Sequence, residues 1–232
     1  MTRRFLLTAL ATAGALAAAV NLTGAQGPNP APRRPVPSLV RAASLQKGPD
    51  ADGFLRRWLI LEPIRVMGQL SDSAVQAAVN TAYFADQFTG VPRDGDIRKV
   101  GDTDLRWHAV DTLAYNVNLY HFAYALNKPT SNVLFWVVTV VDAPREMTGV
   151  RLAIGSNAAS VWWVNGQEVI GIYNERQTVI DDGVSKRLTL HKGPNVIRGA
   201  IINAGGATDF CARILGADDQ PLKDITVRLV AR

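Results

Sequence analysis

The chain has 232 residues, 47% hydrophobic and 19% charged, which supplies one ordinary core and too little charge for a disordered chain. Twelve Pro and nineteen Gly are spread without a collagen period, and no repeat of about 20 to 50 residues occurs, which excludes fibrous and solenoid architectures. The formal charge is +5, but the basic residues come in short pairs such as Arg33-Arg34, Arg56-Arg57 and Lys186-Arg187 beside acids or prolines, not in a stripe that tracks phosphates, so nucleic acid is excluded as a partner.

Arg3 and Arg4 precede an almost wholly apolar run from Phe5 to Val20, and Thr23-Gly24-Ala25 offers small residues at the cleavage-determining positions. Residues 1–25 therefore read as a secretory signal peptide cleaved near Ala25. The run is shorter than the ~20 residues that span a bilayer, so no membrane contact is expected after cleavage, and the product is secreted or periplasmic. Both the general and the twin-arginine export routes stay open. Residues 26–50 read as a Pro-rich spacer, with Pro28, Pro30, Pro32, Pro35 and Pro37 alternating with small and basic residues. Residues 51–232 are then the folded domain.

That domain reads mainly as strands: 54–61, 105–110, 117–126, 133–141, 150–154, 161–164, 168–172, 184–190, 195–202, 209–215 and 225–230 are short runs of β-forming residues separated by turn residues. Only 72–84 reads as helix, with Ser71 before it and Val75, Ala78, Val79 and Ala82 at helical spacing. Many strands and one early helix predict an all-β, antiparallel sandwich of jelly-roll type. Asn165-Gly166, flanked by Trp163-Val164 and Gln167-Glu168-Val169, predicts a hairpin with a tight type I′ turn. Strand alternation then puts Trp162 and Trp163 on opposite faces, Trp163 in the core and Trp162 free for a ligand.

Few residues suggest chemistry. No GxSxG elbow occurs, and Ser156 in Ile154-Gly155-Ser156-Asn157-Ala158 leads into a strand, not a helix. His108, His121 and His191 read as structural or surface residues, and Cys211, the only cysteine, reads as a small buried hydrophobe. Asp94-Gly95-Asp96 and Asp102-Thr103-Asp104 are loop carboxylate pairs of the kind calcium favours, but without EF-hand spacing. They read as solvated turn acids, with a structural calcium ion as the alternative and no other cofactor. No zinc ligand cluster, GxGxxG or phosphate loop is present.

Around the hairpin the sequence resembles the galactose-binding-like jelly-roll modules that accompany many glycoside hydrolases and occur in secreted bacterial proteins labelled acetyl xylan esterase. The resemblance rests on Gly155-Ser156-Asn157-Ala158, Trp163-Val164-Asn165-Gly166, Asp181-Asp182, Lys192-Gly193-Pro194-Asn195, Asn203, Gly205-Gly206 and Phe210-Cys211-Ala212-Arg213, with Trp58-Leu59-Ile60-Leu61 as an opening strand. Two acids that follow Gly-Ser in that pattern are Asn157 and Ala158 here, which weakens any cation or sugar site built on them. The resemblance implies a non-catalytic, secreted module that recognises a polysaccharide or envelope glycan. Its alternatives are an esterase-related carbohydrate-active protein and a structural module that docks a protein partner. Sugars need flat rings for their C–H faces and polar forks for their hydroxyls. The candidates are Trp162, Tyr173, Asn174 and Arg176 on or past the hairpin, and Asp181, Asp182, Asn203 and Asp209 in loops.

Overall fold

The computed structural model describes residues 39–229 apart from 43, 45, 175 and 176. The stretch read as a signal peptide, most of the stretch read as a Pro-rich spacer, and Arg176 lie outside the described residues. The first half of the described chain holds β1 (Leu39–Arg41), β2 (Gln46–Lys47), β3 (Arg57–Leu61), β4 (Ile64–Arg65), α1 (Asp72–Asn80), β5 (Ile97–Val100), β6 (Thr103–Thr112), β7 (Val117–Asn118) and α2 (Leu119–Ala125). The second half is β8 (Val133–Ala143), β9 (Met147–Ser156), β10 (Ala159–Val164), β11 (Gln167–Ile172), β12 (Gly183–Val184), β13 (Leu188–Leu190), β14 (Gly193–Asn203), β15 (Asp209–Leu215) and β16 (Thr226–Arg228).

Among the described residues these strands form two antiparallel sheets, the sandwich expected from the sequence. The larger runs β1-β6-β3-β8-β14-β10-β11, and the smaller runs β12-β9-β15-β7 with β13 on β9. Between them lies a core centred on three rings: Trp58 meets Phe210 edge-on at 5.0 Å and Trp162 at 5.9 Å, and Trp162 meets Phe210 at 5.1 Å. Both inner indoles are satisfied, Trp58 Nε1 donating to the Leu55 carbonyl at 2.7 Å and Trp162 Nε1 to Ser160 Oγ at 2.9 Å.

The outer face of the larger sheet is covered as well. Leu59, Leu61, Trp107, Trp136, Val161, Trp163 and Ala200 form a second cluster with Val75 and Val79 of α1, so β8 and β10 are apolar on both sides. A strand buried on both faces reads as a continuous hydrophobic run, which is why Val133–Val141 and Val161–Val164 show no alternation. The expectation for Trp162 is overturned for the same reason. The two tryptophans do lie on opposite faces, but Trp162 is 0% and Trp163 6% exposed, so Trp162 has no surface to offer a sugar.

The expected single helix is two. α1 stops at Asn80, not at Phe84, because the Gln87 side chain donates to the Val79 and Thr81 carbonyls that a further turn would need. α2 falls in a run read as a strand. Asn118 caps it by accepting from the His121 N–H at 2.7 Å, and Leu119, Phe122 and Ala123 bury one side. The sheet also begins earlier than expected. β1 pairs with β6 and β2 with β16, both inside the stretch read as spacer, and Lys47 of β2 reaches Asp111 at 3.2 Å. No helix among the described residues is long and apolar enough to cross a membrane.

Candidate functional site

The smaller sheet carries the most connected polar cluster with an exposed ring. β15 alternates Phe210, Ala212 and Ile214 into the core with Asp209, Cys211 and Arg213 outward. A segment, 177–182, crosses that outer face. Gly155 on β9 makes room for it, since a Cβ there would stand 2.2 Å from the Val179 carbonyl oxygen. The segment is pinned at both ends. Thr178 Oγ1 donates to Asp209 Oδ1, and Arg213 Nε donates to Asp181 Oδ1 at 2.9 Å with Nη2 on the other carboxylate oxygen. Asp181 adopts φ 59° and Asn174 φ 67°, left-handed positions that Asn and Asp tolerate.

The neighbouring loop, 113–116, completes the cluster. The Thr112 hydroxyl donates to the Asn116 carbonyl at 2.6 Å and shapes the turn, and Asn116 Nδ2 donates to Asp209 Oδ2. Tyr115 is 41% exposed and its ring leans on Phe54 at 5.3 Å, while Arg213 Cζ lies 5.1 Å over the other aromatic, Phe54. The circuit Tyr115, Phe54, Arg213, Asp181, Thr178, Asp209, Asn116 thus closes on itself. Val179 and Ile180, 56% and 44% exposed, form its apolar centre. Such a rim presents an aromatic face, a carboxylate with spare lone pairs, an amide and a hydroxyl, which is the chemistry that grips vicinal hydroxyls on a C–H face.

Of the sequence candidates, the structure brings together Asp181 and Asp209, with Asp182 exposed beside them. Others lie elsewhere. The Tyr173 hydroxyl accepts from Gln76 of α1 at 2.7 Å, and the Asn174 N–H donates to the Leu70 carbonyl. Asn203 is corrected to a buried residue at the end of β14: it is 2% exposed and its amide donates to the Thr130 and Gly206 carbonyls. Sequence reasoning missed Tyr115, Asn116 and Thr178. The available signal was an aromatic residue in the short loop 113–116 between two predicted strands, where burial is not expected.

Other chemistry is committed to structure. Ser156 is 0% exposed and its hydroxyl donates to the Ala158 carbonyl at 2.7 Å. Burial pushes the Cys211 thiol up to about 11, and the residue is 1% exposed, the inert small hydrophobe expected. His108 Nε2 lies 3.3 Å from Glu62 Oε1, and Lys128 Nζ lies 2.9 Å from Oε2. Burial pushes the Glu62 carboxyl up, but its hydrogen bonds to Lys128 and His108 outweigh this and hold it below the usual carboxylate range. The Asp94 carboxylate accepts from Arg41 and from the Ala109 N–H, and Asp96 from the Arg93 N–H. These are turn and strand caps, and among the described residues no cluster of His, Cys, Asp or Glu is arranged to hold a metal ion. A polar cleft of about 580 Å³ opens at the hairpin tip between β11 and β13, lined by Asn165, Glu168, Lys186, Arg187 and His191 without a Phe, Tyr or Trp ring.

No family model matches the chain, and no curated protein matches it. Among solved structures it is similar to a PA14 sugar-binding domain from an RTX adhesin, at 13% identity over 73% of this chain and 95% of that one, TM-score 0.44. It is also similar to the PA14 domain of the antifreeze protein MpAFP, at 14% identity over 80% of this chain and 96% of that one, TM-score 0.45. A β-glucosidase from Kluyveromyces marxianus is matched at 15% identity over 68% of this chain but 18% of that one, TM-score 0.33.

Proposed function

We propose that this protein is a non-catalytic, exported carbohydrate-binding module that holds a polysaccharide or envelope glycan against the outer face of its smaller sheet. The single observation that carries the reading is the exposed Tyr115 ring beside the hydrogen-bonded Asp209, Asn116 and Thr178 cluster. In this reading residues 1–25 direct export, the Pro-rich stretch spaces the module from its attachment, and the sandwich presents the site. Tyr115 supplies the stacking face. Asp209 accepts from sugar hydroxyls with the lone pairs that Asn116 and Thr178 leave free, and Val179 and Ile180 exclude water from the centre.

A glycan array on the secreted protein tests this, followed by titration of the best ligand against Tyr115→Ala and Asp209→Ala. Loss of one stacked ring is expected to lower affinity by about tenfold or more, a change of about 1.4 kcal/mol per decade. Native circular dichroism with unchanged affinity in Tyr115→Ala, or an array without a single retained glycan, overturns the reading.

A further inference from the structure

The outer face of the larger sheet holds a second aromatic platform, unlike the inner one in two respects. Trp136 on β8 lies opposite Ala200 of β14 and Trp163 on β10 opposite Arg198 of the same strand, and the two indole rings stack at 5.7 Å and 26°. The next outward residue of β14 is Arg198, opposite Trp163. First, whereas Trp58 and Trp162 are satisfied, Trp136 Nε1 is buried without a partner among the described residues, as is Trp107 Nε1 two strands away in the same cluster. Second, Arg198 is 4% exposed, and its one side-chain hydrogen bond among the described residues runs from Nη2 to the Gly90 carbonyl at 2.7 Å. The carboxylate whose charge acts on it, Asp86, is committed in a bidentate pair to Arg98 at 2.7 and 2.6 Å. Buried guanidinium groups are ordinarily matched by an anion. Burial draws the Arg198 pKa down to about 10, with only the field of Asp86 opposing.

What covers the platform is a strap, residues 81–92, without helix or strand. Phe88 meets both indoles in a T-shaped arrangement, at 5.5 Å and 90° to Trp136 and 5.8 Å and 69° to Trp163, and it is 37% exposed. A pyranose offers its C–H face to indole rings of this kind, and the Gly90 carbonyl meets Arg198 where an acceptor oxygen of a ligand would. Apart from the rings, the strap is held by Asp86 to Arg98 and by Gln87, whose amide bonds Val79, Thr81 and Tyr83.

We propose that this strap occludes a second carbohydrate site, in which a uronate-containing polysaccharide replaces Phe88 on the Trp136–Trp163 stack and its carboxylate replaces the Gly90 carbonyl on Arg198. The site is independent of the Tyr115 face. A carboxylate satisfies the buried cation, which a neutral sugar does not, and the sugar hydroxyls supply an acceptor for the orphaned Trp136 N–H.

The test uses polygalacturonate, with neutral galactan and poly-glutamate as controls, titrated by tryptophan fluorescence. Phe88→Ala removes the occluding ring, and Asp86→Asn releases the strap without touching the platform, so one remains informative if the other fails to fold. Both are expected to bind polygalacturonate about tenfold or more tightly than the parent chain. The gain should persist in a Tyr115→Ala background, which separates it from the face proposed above, and should be lost with Arg198→Gln. The inference is overturned if both folded variants bind polygalacturonate no better than the parent. A gain that poly-glutamate reproduces, or one that survives Arg198→Gln, overturns it equally.

Discussion

Asn165 and Asn195, thirty residues apart, hold each other across the tip of the sandwich: Asn165 Nδ2 donates to Asn195 Oδ1 at 2.9 Å, and Asn165 Oδ1 accepts from the Val196 N–H at 2.9 Å. Asn195 is 0% exposed and also bridges its own loop, donating to the His191 and Gly193 carbonyls and accepting from the His191 N–H. The Trp-Val-Asn-Gly turn and the Lys-Gly-Pro-Asn loop that resembled a galactose-binding-like pattern are thus two halves of one structural clasp. Their chemistry is spent on the fold.

Asn195→Ala should therefore destabilise the protein without touching ligand affinity. It strands several buried backbone groups, each worth about 1 to 3 kcal/mol when left unpaired. Urea denaturation is expected to show a lower midpoint, while the folded fraction binds glycan as before; a loss under about 0.5 kcal/mol, within the range of ordinary surface substitutions, would mean water replaces the amide.

Trp162→Ala and Trp163→Ala should cost alike, on the order of 3 to 5 kcal/mol each, because one ring is lost from the inner core and the other from the outer cluster. Chemical denaturation of both checks this. A cheap Trp162→Ala would place that ring outside the core.

The buried ion cluster sets an acid limit. Arg57 is 1% exposed and binds Asp111 at 2.8 and 2.9 Å, with Lys47 at 3.2 Å. Burial raises the Asp111 carboxyl, but the Arg57 and Lys47 contacts outweigh it and keep it below its usual value. A carboxylate depressed in the folded state contributes stability above its unfolded pKa of about 4, and that contribution fades as pH falls through the folded value. Melting temperature is therefore expected to fall below about pH 4, and Asp111→Asn to flatten that limb while costing about 3 to 5 kcal/mol at neutral pH through the uncompensated Arg57.

The Cys211 thiol, raised to about 11 by burial, should resist alkylation at neutral pH in the folded protein and react fully in denaturant. Mass spectrometry after iodoacetamide treatment reads this directly; rapid native labelling would show that segment 177–182 opens freely.

Gly155→Ala aims at the same segment. Its new Cβ meets the Val179 carbonyl at 2.2 Å, so the segment must lift and the Thr178 to Asp209 bond must loosen. Glycan affinity should fall while the sandwich core stays intact, with hydrogen exchange at 177–182 accelerating; unchanged affinity would detach this segment from the proposed site.

Local chemistry was readable from adjacent residues. Asn165 and Gly166 take φ 50° and 84°, as a type I′ turn requires, and period-two alternation correctly divided Trp162 from Trp163. The run of antiparallel strands and the buried Cys211 were equally local signals. Tertiary structure alone decided what each face meets. Phe84 and Phe88 arrive from beyond α1 to close over Trp136, and α1 itself buries the side of β10 that alternation left open. Residues 119–125 coil because Leu119, Phe122 and Ala123 meet a core that the local pattern does not contain. The candidate site has the same origin, since Asn116 and Asp209 are 93 residues apart. Backbone preference and alternation are properties of neighbours in the chain, whereas burial and convergence depend on partners that only the closed sandwich supplies.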